Sequence, residues 1–281
     1  MSESSTTLVI GGTGTTGSRV VARLRAHAAG VRIATRSAAG GGPELVRFDW
    51  SEPETYAAAV EGVDRIYLIA PPGDVDPVPR VGKLLETAVR AGIRRVVVLG
   101  SSALPDSDSG PGALAPLIRT MMPEWAVLRP SWFMQNFAGQ LAAGIRERGE
   151  IVTATGDGRI GFVDAADIAA VAARALLDPA PHNADHVITG PAALSYADAA
   201  GMISAATGRA VRHRSVSTDE MAARFTEMGL PPDYAAFLAG LDEKIRHGAE
   251  NRVTTTVAEV TGRPARSFAD FADTHRAAFA P

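Results

Sequence analysis

Seven residues constrain this chain more than any others. Gly11-Gly12-Thr13-Gly14-Thr15-Thr16-Gly17 follow the apolar run Leu8-Val9-Ile10 and precede a helical pattern from Ser18 to Ala29. Glycine at 11 permits a tight turn, glycine at 14 lets a ligand approach the backbone, and glycine at 17 lets helix and strand pack closely. A helix that starts there offers unpaired N–H groups and the positive end of its dipole, which suits a diphosphate. A bare glycine pattern also fits an ordinary strand-to-helix turn. The strand before it and the helix after it favour a dinucleotide held by Gly11, Thr13, Gly14, Thr15, Thr16 and Gly17.

The same alternation continues. Short β-branched runs at Leu8 to Gly11, Val31 to Thr35, Leu45 to Phe48, Arg65 to Ala70, Val96 to Gly100 and Trp125 to Arg129 are separated by helical stretches. These include Ser18 to Ala29, closed by Gly30; Pro53 to Glu61, opened by Ser51 with Glu54 as a capping box; and Arg80 to Ala91, ended by Gly92. Strands that are apolar nearly throughout belong to a parallel sheet covered on both faces. After about residue 130 the pattern loosens. A helix is expected over Trp132 to Arg148, a short strand, a turn at Gly156-Asp157-Gly158, a helix over Asp164 to Leu177 and strands at Val187 to Thr189 and Val211 to Val216. Further helix starts fall at Ser195, Ser217, Pro232, Thr254 and Ser267. Gly40-Gly41-Gly42 and Asp106 to Gly112 read as loops. The expected fold is α/β: a doubly wound Rossmann sheet over residues 1–150 and a smaller, mainly helical substrate-side domain over 151–281. Some segments of the second part are expected to return to the sheet.

With 281 residues and 46% apolar content the chain can bury a large core. Its formal charge of −3 gives no basic footprint for nucleic acid. No cysteine is present, which removes disulfides, thiolate catalysis and cysteine-based metal sites. The stretch Met1 to Thr7 is polar and unlike a signal peptide, and no apolar run is long enough for a membrane span, so a cytoplasmic, membrane-free protein is expected. A homodimer is the expectation by prevalence.

The nucleotide preference is read at the end of the second strand. NAD sites place Asp or Glu there to bind the ribose 2′-hydroxyl. Here the strand ends Thr35-Arg36-Ser37, and the planar fork of Arg36 suits a 2′-phosphate. NADP(H) is therefore the expected cofactor, with a plain surface arginine as the alternative. Ligands sit at the carboxyl ends of parallel strands. That places Asp49 and Trp50 beside the adenine, Ala70, Pro71 and Pro72 beside the ribose and nicotinamide, and Ser101 with the cofactor residues. Each of these also fits simple loop structure.

The resemblance carried by these residues extends along the chain. It takes in Leu128-Arg129-Pro130-Ser131-Trp132-Phe133-Met134-Gln135-Asn136, Gly156-Asp157-Gly158-Arg159-Ile160-Gly161-Phe162-Val163-Asp164 with Asp167-Ile168-Ala169, and Thr261-Gly262-Arg263-Pro264 with Ser267-Phe268-Ala269-Asp270-Phe271. In these the chain resembles the NmrA-like branch of the atypical short-chain dehydrogenase/reductase superfamily, most of all its quinone-reductase-like and ergot-alkaloid-reductase-like members. The resemblance implies a Rossmann domain, a small C-terminal domain and a substrate cleft between them. It spans NADPH-dependent reductases and regulators that bind the cofactor without turnover.

Most short-chain dehydrogenases use a Tyr-x-x-x-Lys pair to move a proton. Four residues after Tyr56, Tyr67, Tyr196 and Tyr234 stand Val60, Pro71, Ala200 and Leu238, and the only lysines are Lys83 and Lys244. Ordinary alcohol or ketone chemistry is thereby disfavoured. The expected activity is hydride transfer from NADPH to a small activated acceptor such as a quinone, iminium or enone. A redox sensor that binds NADP(H) and controls a partner protein is the alternative. Ser102 falls where related enzymes carry a catalytic serine, and it also suits a turn cap. Pro130, Trp132, Phe133 and Asn136 are expected to wall the nicotinamide and substrate pocket, with helix packing as the alternative. Asp164 and Asp167 suit an N-cap and first-turn carboxylate. His182 and His186 flank a loop and carry no metal motif, so no metal is expected. The apolar stripe Leu230 to Leu241 reads as core or pocket lid.

Overall fold

The computed structural model describes residues 5–37 and 42–280. Met1 to Ser4, and Gly40 and Gly41 of the expected glycine loop, lie outside the described residues. In chain order come β1 (Thr6–Ile10), α1 (Gly17–Ala26), β2 (Gly30–Thr35), β3 (Leu45–Arg47), α2 (Thr55–Val60), β4 (Arg65–Ile69), α3 (Val78–Arg90), β5 (Arg95–Leu99), α4 (Leu114–Met121) and β6 (Glu124–Pro130). There follow α5 (Gln135–Ala138), α6 (Ala142–Arg148), β7 (Glu150–Thr153), α7 (Ala165–Leu177), β8 (Ala184–Ile188), α8 (Tyr196–Thr207) and β9 (Arg212–Ser215). The chain closes with α9 (Thr218–Glu227), α10 (Pro232–Arg246), α11 (Thr256–Thr261) and α12 (Phe268–Thr274). None of these helices is long and apolar enough to cross a membrane.

Two compact units emerge. The first is Met1–Pro130, Ala165–Val187 and Glu259–Gly262; the second is Ser131–Asp164, Ile188–Ala258 and Arg263–Pro281. Residues 131–150 thus belong with the later helices, while α7 and nearly all of β8 belong with the sheet.

The first unit holds a seven-stranded sheet in the order β3-β2-β1-β4-β5-β6-β8, a Rossmann-like α/β arrangement. The pairs β1–β2, β1–β4, β2–β3, β4–β5 and β5–β6 are all parallel. The order reverses at β1, with β2 on one side and β4 on the other. In such sheets the crevice at the carboxyl ends of the two strands flanking the reversal is where ligands bind. Alternate side chains divide the core. Leu8, Ile10, Ile66, Leu68, Val96 and Val98 face α2, α3 and α4, packing on Tyr56, Val60, Leu84, Leu85 and Ile118. On the opposite face lie Val9, Tyr67 and Val97, on the side of the paired helices α1 and α7.

In the second unit β7 and β9 form a parallel pair. Beside them Phe137, Phe162, Tyr196 and Phe268 cluster with ring centroids 4.8–5.8 Å apart. Helix α8 begins with a full capping box from Ser195 and Asp198, and Ser217 and Ser267 cap α9 and α12. Each of these three starts agrees with the sequence expectation.

Four expectations differ. Helix α1 ends at Ala26, and Ala28, at φ 54°, turns the chain away. Gly30 instead opens β2, where a Cβ would come within 2.7 Å of the Thr6 hydroxyl oxygen. Helix α2 starts at Thr55 with no side-chain cap, and the Thr55 hydroxyl donates to the Glu52 carbonyl rather than Ser51 forming a box. The stretch 132–148 is two short helices, broken at Gly139 by a backbone conformation of φ −110°, ψ −105° that helices do not use. The loop expected over Asp106 to Gly112 gives way at Gly110 to a 3-10 turn that leads into α4.

Candidate functional site

The glycine turn closes on itself through backbone hydrogen bonds. The Gly14 N–H donates to the Gly11 carbonyl at 2.9 Å, and the Ser18 N–H to Gly14 at 3.0 Å. First-turn side chains occupy the carbonyls: Ser18 Oγ donates to Gly14 O at 2.7 Å and an Arg19 guanidinium N–H to Thr15 O at 2.6 Å. The N–H groups of Thr15, Thr16 and Gly17 find no acceptor among the described residues. Three unpaired donors at the start of a ten-residue helix form the anion-binding arrangement expected of a helix N-terminus. Arg19, which the sequence reading did not single out, adds a fixed cation. Its only signal is its place four residues after Thr15.

Each glycine has its own steric reason. Gly11 stands at φ +74°, and a Cβ there would lie 2.9 Å from Ile69 Cδ1 of β4. At Gly17 a Cβ would lie 2.1 Å from the Gly11 carbonyl oxygen, so helix and turn meet only because it is absent. Gly14 is exposed, and its missing Cβ faces nothing but the Gly11 oxygen at 3.3 Å. That cradle, open above Gly14 and closed below Gly17, fits a dinucleotide diphosphate.

Neighbouring strand ends bring up the other expected residues of the first unit. Arg36 follows β2, is exposed, and makes no ion pair or hydrogen bond among the described residues. Asp49 Oδ1 accepts the Ser51 N–H at 2.8 Å, leaving its second oxygen uncommitted. Trp50 is half-buried against Phe48 and Tyr56, at 4.9 and 6.0 Å between centroids. Ala70 packs on the core while Pro71 and Pro72 lead away from β4. Ser101 Oγ accepts from the Ala103 N–H at 3.2 Å, and the Ser102 N–H reaches the Pro130 carbonyl at 3.0 Å. Arg129 steadies this loop by donating to the Leu104 carbonyl at 2.7 Å and to Asp106.

In the second unit Trp132, Phe133 and Asn136 lie on a segment zipped to Val163. The Val163 N–H donates to the Trp132 carbonyl and the Met134 N–H to the Val163 carbonyl, each at 2.9 Å. Ser131 Oγ donates to the buried Glu250 carboxylate at 3.0 Å. Asp164 directly precedes α7 and Asp167 lies in its first turn, both buried. On the stripe, Ala235 and Ala239 are buried but Phe237 stays about half exposed, so that helix is not wholly core.

The structure brings one pair together that sequence spacing had left apart. His182 Nδ1 and His186 Nε2 share a hydrogen bond at 2.9 Å, and His182 Nε2 meets Asp178 at 3.0 Å. Burial first, then the neighbouring His182, lowers the His186 pKa to about 4. No group of His, Asp and Glu suited to a metal occurs among the described residues.

Known proteins share this frame. The profile of the NAD(P)H-binding family matches residues 11–179. An uncharacterized oxidoreductase of Bacillus subtilis, YesF, is 49% identical over 96% of this chain and 95% of its own length. Agroclavine dehydrogenase of Claviceps fusiformis is 36% identical over 95% of this chain and 96% of its own. The NAD(P)H azoreductase of Xenophilus azovorans is 37% identical over 97% and 98%. Among solved structures, the Escherichia coli NADPH-dependent quinone oxidoreductase in complex with NADPH superposes with a TM-score of 0.82 at 22% identity, covering 95% of this chain and 99% of that one. With the glycine cradle and these matches together, the chain belongs to the NAD(P)H-binding family and is an oxidoreductase.

Proposed function

We propose that the protein is an NADPH-dependent reductase that passes hydride to a small activated acceptor, a quinone, iminium or enone, without a Tyr/Lys proton-donating pair. The observation that carries this reading is the cradle of unpaired amides at Thr15 to Gly17 combined with the uncommitted Arg36 at the next strand end. The turn amides and Arg19 hold the diphosphate, and Arg36 holds the 2′-phosphate by charge-assisted hydrogen bonds. The bound nicotinamide supplies the hydride.

Proton supply is the step this chain is poorly equipped for. Burial pushes the hydroxyls of Tyr56, Tyr67 and Tyr196 above the usual phenol range. Lys83 and Lys244 are the only lysines. An acceptor whose reduced form draws its proton from water forgoes general acid catalysis, a loss of about 10²–10⁴ in rate that an activated acceptor tolerates. Ser102, at the carboxyl end of β5, donates a hydrogen bond to an acceptor oxygen in this reading. Pro130, Trp132, Phe133 and Asn136 serve the nicotinamide and acceptor side, a role that rests on their place in sequence directly at and after β6.

The test mixes purified protein and NADPH with a panel of quinones, cyclic iminium ions and enones, followed at the nicotinamide absorbance. Turnover with at least one class is expected. Tight NADPH binding with no turnover across the panel overturns the reductase reading in favour of a sensor.

A further inference from the structure

We propose that Tyr56 is a positioning residue for the adenine end of the cofactor: its hydroxyl holds the Asp49–Trp50 turn so that the second Asp49 carboxylate oxygen receives the adenine amino group. The inference rests on the reading that places the adenine beside Asp49 and Trp50.

The turn lies between β3 and α2, and both of its flanks are tied down. The Phe48 N–H donates to the Thr35 carbonyl at 2.8 Å, which binds the turn to the end of β2 one residue before Arg36. On the other side the Asp49 N–H donates to Thr55 Oγ1 at 3.1 Å, and Thr55 Oγ1 donates to the Glu52 carbonyl at 2.7 Å. The Glu52 N–H closes the turn on the Asp49 carbonyl at 3.0 Å. The middle of the turn has one anchor. The Tyr56 hydroxyl donates to the Trp50 carbonyl at 3.0 Å, and no other group reaches that carbonyl among the described residues.

Packing alone does not call for that hydroxyl. Tyr56 is buried, and its ring stacks on Phe48 at 5.1 Å between centroids, a contact that phenylalanine makes equally well. Burial, opposed by Arg80 and assisted by Asp49, raises the Tyr56 pKa, so the phenol keeps its proton and donates it to the carbonyl. The consequence falls on Asp49. Its Oδ1 accepts the Ser51 N–H at 2.8 Å, which ties the carboxylate to the backbone on either side of the Trp50 carbonyl. Its Oδ2 has no partner among the described residues. The adenine amino group is a donor that matches a free carboxylate oxygen, and the bond is charge-assisted. Arg36, laced to the same turn through Thr35, stands at the strand end that serves the 2′-phosphate of the same adenosine. Holding the Trp50 carbonyl therefore fixes the acceptor before the base arrives, and less ordering is left for binding to offset.

The experiment titrates wild type, Tyr56→Phe, Asp49→Ala and the double variant with NADPH and with its hypoxanthine analogue, in which a carbonyl oxygen replaces the adenine amino group. Nicotinamide fluorescence reads binding, and thermal melting without cofactor checks that each variant is folded. Wild type is expected to favour NADPH about 10-fold or more, the worth of one hydrogen bond to a charged group. Asp49→Ala is expected to bring that ratio close to unity. Tyr56→Phe is expected to lower the ratio about 3-fold or more by weakening NADPH while the analogue binds nearly as before. In the Asp49→Ala background the same change is expected to leave the ratio as it is. A hydroxyl with a structural role alone weakens both ligands alike, so an unchanged ratio in Tyr56→Phe overturns the inference, as does a further fall in the double variant. A selective wild type with an unselective Asp49→Ala then leaves the adenine assignment standing. A wild type that does not discriminate, or an Asp49→Ala that still does, removes that assignment and the inference with it.

Discussion

The contact at Gly17 yields a sharp quantitative test. Replacing it by alanine places a Cβ 2.1 Å from the Gly11 oxygen, 2.7 Å from the Gly11 carbonyl carbon and 2.9 Å from Gly12 Cα. Every obstacle is backbone, so no rotamer change relieves it. Ordinary contact starts near 3.4 Å, and the start of α1 must therefore retreat by about 1.3 Å from the turn. Overpacking of this kind destabilises by about 1–3 kcal/mol. A retreat of that size also carries the Thr16 and Gly17 amides out of the 2.7–3.2 Å hydrogen-bonding range. One lost bond to a charged phosphate is worth about 1.5–3 kcal/mol, or roughly 10–100-fold in dissociation constant. Gly14→Ala is the companion variant. Its Cβ meets only the Gly11 oxygen at 3.3 Å, so unloaded stability should change little while affinity falls through obstruction of the ligand. Urea unfolding without cofactor and fluorescence titration with NADPH read the two effects separately. A Gly17→Ala protein that folds and binds NADPH as tightly as wild type refutes the reasoning, as does a Gly14→Ala protein with unchanged affinity.

Arg36→Ala should raise the NADPH dissociation constant about 10–100-fold and leave NADH nearly unchanged; an unaltered NADPH-to-NADH ratio removes the 2′-phosphate assignment. Ser102→Ala should lower kcat about tenfold or more toward a quinone with the NADPH affinity preserved; unchanged kcat assigns Ser102 to the turn alone. The buried His186, with a folded pKa near 4 against 6.5 in the unfolded chain, binds its proton more readily unfolded. Its contribution is present in full above pH 6.5 and is lost as pH falls from there through 4, up to about 3 kcal/mol. Unfolding free energies measured from pH 7 to 4 should fall less steeply in His186→Gln, and parallel curves for the two proteins would show that His186 does not titrate on unfolding.

Much of this fold is legible because its signals are local. The runs around Val9, Ile33, Tyr67, Val97 and Val127 are apolar and β-branched, and each becomes a strand of the sheet. Ser195, Ser217 and Ser267 carry hydroxyls that can cap only a chain turning into helix. Misreadings arise where tertiary contact outranks local preference. Gly30 reads as a helix stop, yet its lack of a side chain serves the close approach of Thr6 across the sheet. Trp132 to Arg148 has helical composition throughout, but the backbone at Gly139 divides it. The glycine cradle and Arg36 were visible because each depends on residues adjacent in sequence. The His182–His186 pair was not. Its significance lies in what the two rings meet in space, and neither spacing nor periodicity encodes a buried imidazole.

The interleaving of the two units bears on how the protein is made. The chain passes from one unit to the other after Pro130, Asp164, Val187, Ala258 and Gly262. During synthesis the sheet of the first unit is exposed on its α1 face until α7 leaves the ribosome, and β6 lacks its outer neighbour until β8 does. By then the ribosome has delivered 34 residues of the other unit, Ser131–Asp164, whose own partners come later still. Neither unit is a contiguous fragment that a protease could release or a gene fusion could borrow whole. Truncation at residue 150 therefore removes both α7, which packs on β4, β5 and β6, and the edge strand β8, and leaves that surface of the sheet bare.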